Sequence, residues 1–448
     1  MTLYALGIRS CMTAYTGVAG SLLLNGSTAH SCFSLPVDDK EPRKNVQVRS
    51  LEDITSSVTI SKNSRAAKIL IIADVAFVDE ASIASIEFIH QIDATLRFVT
   101  GINEFMGGLY VIFSGDFKQA PPIVGSNDAL PFTLLNHRDF PAFMKFSLVQ
   151  TQRFKNAPQG WKEFLDCMGE RRTHCALRHY DRPVCPSDEG RKIVTTSVDS
   201  NFLRSMSVAI VNHLQDAMAE YDRRQGTHRL DPLQFLSTHH KNVWSYNEKR
   251  LTEQFPEYAI FDLHATHQLK DKRGKSLDDF VVTQWDEGNT PHGLLRLAVG
   301  CPVMLLRNLN VQNQLTNGTL LTVEAVEPGA IICRRFGGNR GIDDLVAIPK
   351  VIHEINVKGI SMYHRYQFPL QLAFGATINK SQGKTVDHPM ILDLTYDCFD
   401  HGQLYVAMTR LTTPKNLIVL CGKDGDGHNR ILSKSNEGIL RAMKNYMP

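Results

Sequence analysis

Two adjacent carboxylates, Asp79 and Glu80, directly follow the apolar run Val75–Val78. A short apolar run without alternation predicts a strand that is buried on both faces, as in a parallel sheet. At the carboxyl end of such a strand, one carboxylate can hold Mg²⁺ and a second can polarise the water that attacks a phosphate. We therefore interpret Asp79 as a metal ligand and Glu80 as a catalytic base. Taken alone, these residues fit a strand end followed by an acidic helix start equally well.

A second apolar run ends in polar groups in the same way. Leu109–Phe113 predicts a buried strand, and the loop after it contains Ser114, Asp116 and Gln119. A neutral amide can contact both a γ-phosphate and a water molecule, so Gln119 could sense the state of a nucleotide. Two such junctions, about 35 residues apart, favour a nucleotide-binding sheet. A solvated loop amide remains the alternative for Gln119 alone.

Small hydroxyl residues and glycines follow the first predicted strand of the chain. The segments 16–21 and 25–31 are rich in Thr, Ser and Gly, whose hydroxyl and backbone N–H groups suit phosphates. Two ordinary turns explain them equally well. Gly383–Lys384–Thr385 suggests a phosphate loop, but the pattern Gly-x-x-x-x-Gly-Lys-Ser/Thr requires glycine where Ile378 stands.

Length and composition limit the number of domains and the class of protein. A chain of 448 residues predicts two or three domains, and a net charge of +3 permits nucleic-acid binding without arguing for it. The nine cysteines form no Cys-x-x-Cys pair, which predicts free thiols in a reducing, intracellular compartment and neither a zinc site nor disulfides. No stretch has the length and apolarity of a membrane span, and the first residues do not resemble a secretory signal.

The pattern of apolar runs and turn residues along the chain predicts an α/β fold in three parts. We assign residues 1–148 to a first parallel-sheet domain with a small insertion near 35–64. Residues 149–282 and 366–448 form a second such domain. Between them, residues 283–365 contain short β-rich runs and an Asn317–Gly318 hairpin signal, which predict a small inserted β-barrel.

Six segments, in order, resemble the motifs of superfamily-one DNA helicases of the petite-integration-frequency (PIF) type, close to the helitron helicases and RecD. They are Thr-Ala-Tyr-Thr-Gly-Val-Ala with Gly-Ser-Thr-Ala-His-Ser, Val-Asp-Glu-Ala-Ser, Ser-Gly-Asp-Phe-Lys-Gln-Ala-Pro-Pro, the segment around Arg153, Thr-Ile-Asn-Lys-Ser-Gln-Gly-Lys-Thr, and Tyr-Val-Ala-Met-Thr-Arg. Any one of these motifs is weak evidence, and an isolated Arg153 or Arg410 would be taken for a solvated arginine. Six in the family's order are specific.

The resemblance implies two RecA-like domains with ATP and Mg²⁺ between them and single-stranded DNA across their top. Asp79 and Glu80 would serve Mg²⁺ and water, Gln119 would sense the γ-phosphate, and Arg153 and Arg410 would act as arginine fingers. Gly383 would also lie at the nucleotide. The residues expected along the DNA strand are Thr16, Gly17, Thr28, His30, Thr377, Asn379, Lys380, Ser381 and Gln382.

By resemblance, the expected activity is ATP-dependent 5′-to-3′ DNA unwinding, on DNA with a single-stranded tail, in replication, repair, recombination or telomere maintenance. The resemblance also implies a nuclear or mitochondrial location. Two departures qualify it. Asn379 stands where the family usually has histidine, and the phosphate loop expected upstream of Thr13 does not occur in the printed sequence. The sequence therefore predicts an incomplete helicase chain with little ATPase activity of its own; the alternative is an inactive remnant or regulatory protein that binds single-stranded DNA.

Overall fold

The computed structural model describes residues 5–35, 58–122, 132–148, 150–180, 193–225, 230–269, 290–310, 313–336, 344–355 and 363–446. Most of the insertion predicted near 35–64 lies outside these ranges. None of the helices within them is long and apolar enough to cross a membrane. The eight cysteines that they include are free thiols, as predicted.

The N-terminal part is built on a parallel sheet with strand order β2-β1-β3-β4. Its strands are β1 (Ser10–Ala14), β2 (Ser27–Thr28), β3 (Val75–Asp79) and β4 (Tyr110–Phe113). Its helices are α1 (Gly17–Leu22), α2 (Ala29–Cys32), α3 (Arg65–Ile72) and α4 (Ile86–Thr100). Ala76 and Val78 are fully buried, which confirms β3 as an interior strand. Polar residues after β3 and β4 consequently meet at one edge of the sheet.

Strand β4 differs from the prediction of a buried strand. It lies at the end of this sheet, and among the described residues no strand pairs with its outer edge. Tyr110 is 80% exposed and Ile112 is 46% exposed. An apolar run is ambiguous because it predicts a strand without showing how many neighbours cover that strand.

Residues 159–254 begin the second α/β part. Its elements are α5 (Gln159–Glu170), β5 (Leu177–Tyr180), β6 (Ile193–Val198), α6 (Ser200–Ser205), β7 (Ala209–Val211), α7 (Leu214–Gln225), β8 (Phe235–Ser237) and α8 (His240–Gln254). Trp161 and Phe164 on α5 are fully buried in the core of this part.

An antiparallel β region interrupts the second part. Its strands are β9 (Ile260–His264), β10 (Thr266–Leu269), β11 (Leu294–Ala298), β12 (Pro302–Leu305), β13 (Leu320–Val326), β14 (Ala330–Arg335), β15 (Leu345–Pro349), β16 (Val351–Ile355), β17 (Tyr363–Gln367) and β18 (Leu370–Leu372). They form sheets in the orders β15-β14-β13-β12-β18, β10-β17-β16 and β11-β9. The predicted turn at Asn317–Gly318 is present, with Gly318 at a φ of +89°, but it lies at the end of the connection 306–319 between β12 and β13 and does not form a two-residue hairpin.

Strand pairing extends this β region beyond the predicted boundaries of 283 and 365. Strand β9 pairs with β11 and β10 pairs with β17, so the region begins at Ile260. At its other end, β18 pairs with β12. The register of such strand pairs depends on contacts between segments that are distant in the chain. The residue pattern within each segment does not show these contacts.

The chain then completes the second parallel sheet. The last elements are β19 (Gly375–Thr377), β20 (Met390–Leu394), α9 (Gln403–Met408), β21 (Leu417–Cys421), β22 (Leu432–Asn436) and α10 (Glu437–Tyr446). The sheet has the order β19-β8-β20-β21-β7, and every residue of β20 and β21 is buried. Two parallel-sheet domains are therefore present, as predicted. Helix α10, however, packs Ile439 and Met443 into the core of the first domain.

Candidate functional site

The backbone at the end of β3 is held in an unusual conformation. Asp79 ends the strand, and its Oδ1 accepts hydrogen bonds from the Glu80 amide, at 2.9 Å, and from the Ser114 hydroxyl after β4. Glu80 has a φ of +57°, in the left-handed region that residues other than glycine seldom adopt. Such strain persists where the surrounding structure fixes it, and it clusters at functional sites.

Charge around Glu80 suits a proton acceptor. Burial raises the pKa of its carboxyl group, and neighbouring Asp79 raises it further, whereas Arg410 and Arg153 act to lower that pKa. A carboxylate with a raised pKa is a stronger base than one in water. Gly383 of the second domain lies beside it, because a Cβ built there would be 3.6 Å from Glu80 Oε1. Groups of both domains thus meet at Glu80.

The loop after β4 carries the predicted amide. Asp116 accepts hydrogen bonds from Gln119 Nε2 at 3.2 Å and from the Tyr405 hydroxyl of α9 at 3.0 Å. Gln119 Oε1 is buried and has no hydrogen-bond partner. Buried polar atoms nearly always have partners, so such an atom requires an explanation. A water molecule or a bound ligand in the cleft would supply the missing donor.

Two arginines approach the cleft from the second domain, and they are held differently. Arg153 donates from Nε to Thr385 Oγ1 at 3.1 Å and from Nη1 to the Thr409 carbonyl at 3.0 Å. Burial lowers its pKa, and the charges of Glu80 and Asp116 act in the opposite direction. The side chain therefore lies within the electrostatic influence of the first domain's acidic groups.

Arg410 is almost wholly buried. It donates from Nε to the Val406 carbonyl at 2.8 Å, from Nη1 to the Lys384 carbonyl at 3.1 Å and from Nη2 to Thr409 Oγ1 at 3.0 Å. Burial, followed by the charge of Arg153, lowers its pKa to about 10. All three nitrogens thus bind groups of the second domain. This geometry connects α9 to the turn before Thr385, a positioning role that the sequence did not suggest.

The first domain presents its predicted DNA-binding residues at two short helices. Thr16 Oγ1 accepts from the Ala19 amide and Thr28 Oγ1 from the Ser31 amide, each at 3.2 Å, so both threonines are N-caps. Their hydroxyl hydrogens remain available as donors. Gly17 packs directly against Thr316 of the β region, since a Cβ there would be 2.4 Å from that side chain.

His30 has a different setting from these threonines. Its ring lies 5.4 Å from that of Tyr15 and 5.0 Å from that of Phe88, and burial lowers its pKa. A largely neutral histidine within an aromatic cluster supports the packing of α2. The prediction that His30 contacts DNA stays untested.

The second domain presents its predicted DNA-binding residues between β19 and Gly383. Asn379 is exposed, and Lys380 Nζ donates to Gln371 Oε1 at 3.1 Å. Gln382 Nε2 is buried without a hydrogen-bond partner. Thr377 and Ser381 are both buried, and the Ser381 hydroxyl donates to the Ile378 carbonyl at 2.7 Å. The predicted direct contact of Ser381 with DNA therefore finds no support in this geometry, where the residue stabilises the turn.

Sequence reasoning assigned no role to three groups that build the cleft. They are Ser114, which binds Asp79, and Asp116 and Tyr405, which join the two domains. The first two lie in the polar loop after β4, so their position beside a strand end was an available signal. Tyr405 begins the motif Tyr-Val-Ala-Met-Thr-Arg, but its hydrogen bond to Asp116 could not be foreseen, because that partner is 289 residues away in the chain.

Comparison with known proteins is consistent with this arrangement. A family model for PIF1-like helicase matches residues 7–163, and one for the 2B domain of the DNA helicase Pif1 matches residues 286–326. The ATP-dependent DNA helicase PIF7 of Trypanosoma brucei brucei is 25% identical, over 91% of this chain and 41% of the relative. The ATP-dependent DNA helicase PIF1 of Danio rerio is 26% identical, over 91% of this chain and 54% of the relative. The chain thus spans about half the length of these relatives.

Solved structures share the fold. Bacteroides Pif1 bound to single-stranded DNA gives a TM-score of 0.63 at 21% identity, covering 93% of this chain and 84% of that one. Candida albicans Pif1 gives a TM-score of 0.62 at 18% identity, covering 99% and 90%. The two parallel sheets are therefore RecA-like domains. Together with the ordered motifs, the two family models show that residues 7–163 and 286–326 are similar to PIF1-like helicases.

Proposed function

We propose that this chain forms the motor region of an ATP-dependent DNA helicase, in which ATP binds between the two RecA-like domains and a single strand of DNA lies across both. The observation that carries the proposal is the convergence of Asp79, Glu80, Gln119 and Arg153 on one interdomain cleft, with the buried Gln119 Oε1 left without a partner. A water molecule that attacks a nucleotide phosphate would supply the donor that Gln119 Oε1 lacks.

Each side chain of the cleft has a separate role in the hydrolysis of ATP. Glu80 accepts a proton from the water whose oxygen attacks the γ-phosphorus, and the bond to the bridging oxygen of ADP breaks. Gln119 accepts from the same water through Oε1 and donates through Nε2 to a γ-phosphate oxygen. Arg153, with Arg410 behind it, stabilises negative charge on the transferred group. Because both arginines belong to the second domain, hydrolysis depends on how the domains approach each other.

The donor set also suits Mg²⁺. Carboxylate and hydroxyl oxygens are ligands of this hard cation, and Asp79 and Ser114 place one of each side by side at the end of β3 and β4. When bound, Mg²⁺ neutralises charge on the β- and γ-phosphates. We assign Asp79 as its protein ligand.

One part of the chemistry needs a phosphate loop, and its pattern does not occur in the 448 residues. Backbone N–H groups and the lysine of such a loop hold the β- and γ-phosphates. We therefore expect the 448-residue polypeptide to hydrolyse ATP very slowly.

The test uses two proteins, the 448-residue polypeptide and a fused chain with the phosphate-loop segment of a PIF1 helicase placed ahead of Thr13. We expect only the fused chain to hydrolyse ATP in response to single-stranded DNA, with 5′-to-3′ polarity, and Glu80→Gln to abolish that activity. A folded but inactive fused chain would contradict the proposed function. Turnover by the 448-residue polypeptide that Glu80→Gln abolishes would contradict the need for the loop.

The expected biological roles follow from the family alone. DNA replication, repair, recombination and telomere maintenance, in the nucleus or mitochondrion, all stay predictions. Substrates with a single-stranded tail are the proposed partners, because the predicted DNA-binding residues lie on both domains.

A further inference from the structure

A cavity of about 490 Å³ lies next to the proposed DNA track, between helix α8 and the β region. Its apolar wall includes Val243, Leu294 and Leu370, and its mouth includes Thr377 and Lys380. Small-molecule and base-sized ligands typically occupy cavities of roughly 300–1,000 Å³ with apolar walls and a few polar groups. Because Thr377 and Lys380 also belong to the DNA track, the cavity opens directly onto it.

Trp244 gives the cavity an aromatic surface. It lies on α8 and is 52% exposed, whereas Trp161 on α5 is fully buried. The ring of His292 lies nearly parallel to it, with an interplanar angle of 10° and 6.0 Å between centroids. A planar group stacked on Trp244 would therefore be parallel to both rings. Exposed, preorientated aromatic rings of this kind are the usual platforms for nucleobases in single-strand-binding proteins.

Charge at the cavity favours an anionic backbone beside the stacked group. Two lysines, Lys241 and Lys380, line it, and Lys380 Nζ is held by Gln371 Oε1 at 3.1 Å. The lining carboxylate Glu248 is paired with Arg296, whose Nη1 lies 3.3 Å from Glu248 Oε2. Arg296 also pairs with Glu257 and Asp262, so the positive charge available to a phosphate at the cavity is that of Lys241 and Lys380.

We propose that this cavity binds one nucleobase of the single strand, stacked on Trp244 beside His292, while the adjoining phosphate lies near Lys380. The inference rests on the proposed function, because it requires a strand on the second domain, but it adds a base-binding subsite to a track otherwise made of phosphate contacts. Every base has a π-face, so the subsite accepts all four bases and still fixes the register of the strand.

The experiment measures the Kd of labelled oligothymidylates of about twelve nucleotides, long enough for one such site, each with a single abasic position moved along the strand. For wild type we expect one position at which base removal weakens binding about tenfold, the usual value of one stacked base. Trp244→Ala should weaken binding of the intact strand by the same factor and show no further loss at that position. Trp244→Phe, which keeps a ring, should retain most of the affinity.

A matched control is Tyr258→Ala, which removes an aromatic side chain that is 93% exposed and does not line the cavity. Its Kd and abasic profile should equal those of wild type, and circular dichroism should show all variants folded. If Trp244→Ala does not fold, the abasic profile of the folded Trp244→Phe variant and the Kd of an aliphatic Trp244→Leu variant test the subsite instead. An unchanged Kd for Trp244→Leu would contradict it.

Two failures are distinguishable. A wild-type protein that binds strands, with a flat abasic profile or with a Trp244→Ala variant of unchanged affinity, would overturn the subsite alone. A folded wild-type protein that binds no single strand would overturn the proposed function and the subsite together.

Discussion

The two sides of the interdomain cleft differ in whether their polar groups have hydrogen-bond partners within the protein. On the first-domain side, Glu80 has a strained backbone and a raised pKa, and Gln119 Oε1 is buried without a partner. On the second-domain side, Arg410 is surrounded by acceptors of its own domain, and Arg153 also binds two of them. The acidic side is thus incomplete without a ligand, whereas the basic side is already satisfied.

This difference separates the side chains that meet the nucleotide from those that organise the domain. Ligand binding to an unsatisfied polar group lowers the free energy, because a new hydrogen bond forms at no cost in existing ones. A satisfied group must first break its hydrogen bonds within the protein. Arg153, with two of its donors engaged and charges of the first domain nearby, is the better placed of the two arginines to act on a phosphoryl group. Arg410 is the better placed to hold α9 against the turn before Thr385.

The largest expected effect comes from Arg153. In the fused chain, Arg153→Ala should lower kcat at least about a thousandfold, because an arginine finger contributes on that scale. Nucleotide affinity and thermal stability should change little. Stopped-flow nucleotide binding and steady-state turnover separate the two quantities, and a parallel loss of both would place Arg153 among the ground-state ligands.

Glu80→Gln comes next. It removes the proton acceptor at nearly constant volume, so turnover should fall by a factor of about a hundred to ten thousand while ATP still binds. The raised pKa of Glu80 also gives a direction for pH dependence. The carboxylate becomes protonated on acidification at a higher pH than an ordinary glutamate, so kcat should decline early on the acid side. A pH–rate profile with no acid limb would contradict its role as base.

The Arg410→Ala variant tests whether Arg410 and Arg153 have different roles. By resemblance it should lower kcat roughly a thousandfold at unchanged nucleotide affinity. The geometry adds a second effect, because three buried acceptors lose their donors, and stability should fall by about 3 kcal/mol. Chemical denaturation of Arg153→Ala and Arg410→Ala provides matched controls. Equal stability in both variants would contradict the positioning role of Arg410.

The smallest of these effects concerns Lys380. Burial lowers its pKa from the ordinary 10.5 to about 8, so it is cationic at pH 7 and neutralises as the pH rises past 8. Burial lowers the pKa of its neighbour His240, so that imidazole is already largely neutral at pH 7. Affinity for single-stranded DNA should therefore fall, by about tenfold at most, between pH 7 and pH 9.5. Lys380→Arg should remove this dependence, and an identical pH profile in that variant would count against the phosphate contact.

The sequence was informative where function depends on local order. Apolar runs followed by polar residues located the ends of β3 and β4, and with them Asp79, Glu80 and Gln119, because strand geometry follows from a few adjacent residues. Six ordered motifs likewise indicated the resemblance to PIF-type helicases from the sequence alone. The turn at Asn317–Gly318 was another local feature that could be predicted, but the length of the connection between β12 and β13 that contains it could not.

Features that depend on distant contacts could not be predicted. Arg410 binds a carbonyl 26 residues away, and the pairing of β9 with β11 joins residues 30 to 38 positions apart. Helix α10 contacts a core formed by the other end of the chain. The Trp244–His292 pair belongs to the same class, since no local pattern relates an aromatic residue on a helix to a histidine in a later loop.

The central claim, a single-strand track across both domains, is tested most directly by titrating labelled oligonucleotides with the folded 448-residue polypeptide. We predict a preference for single strands over duplex, tolerance of any sequence, and a modest salt dependence because the net charge is only +3. Thr16→Ala in the first domain and Lys380→Ala in the second should each weaken binding. Equal affinity for duplex and single strands, or a folded Lys380→Ala variant that binds like wild type, would contradict the account.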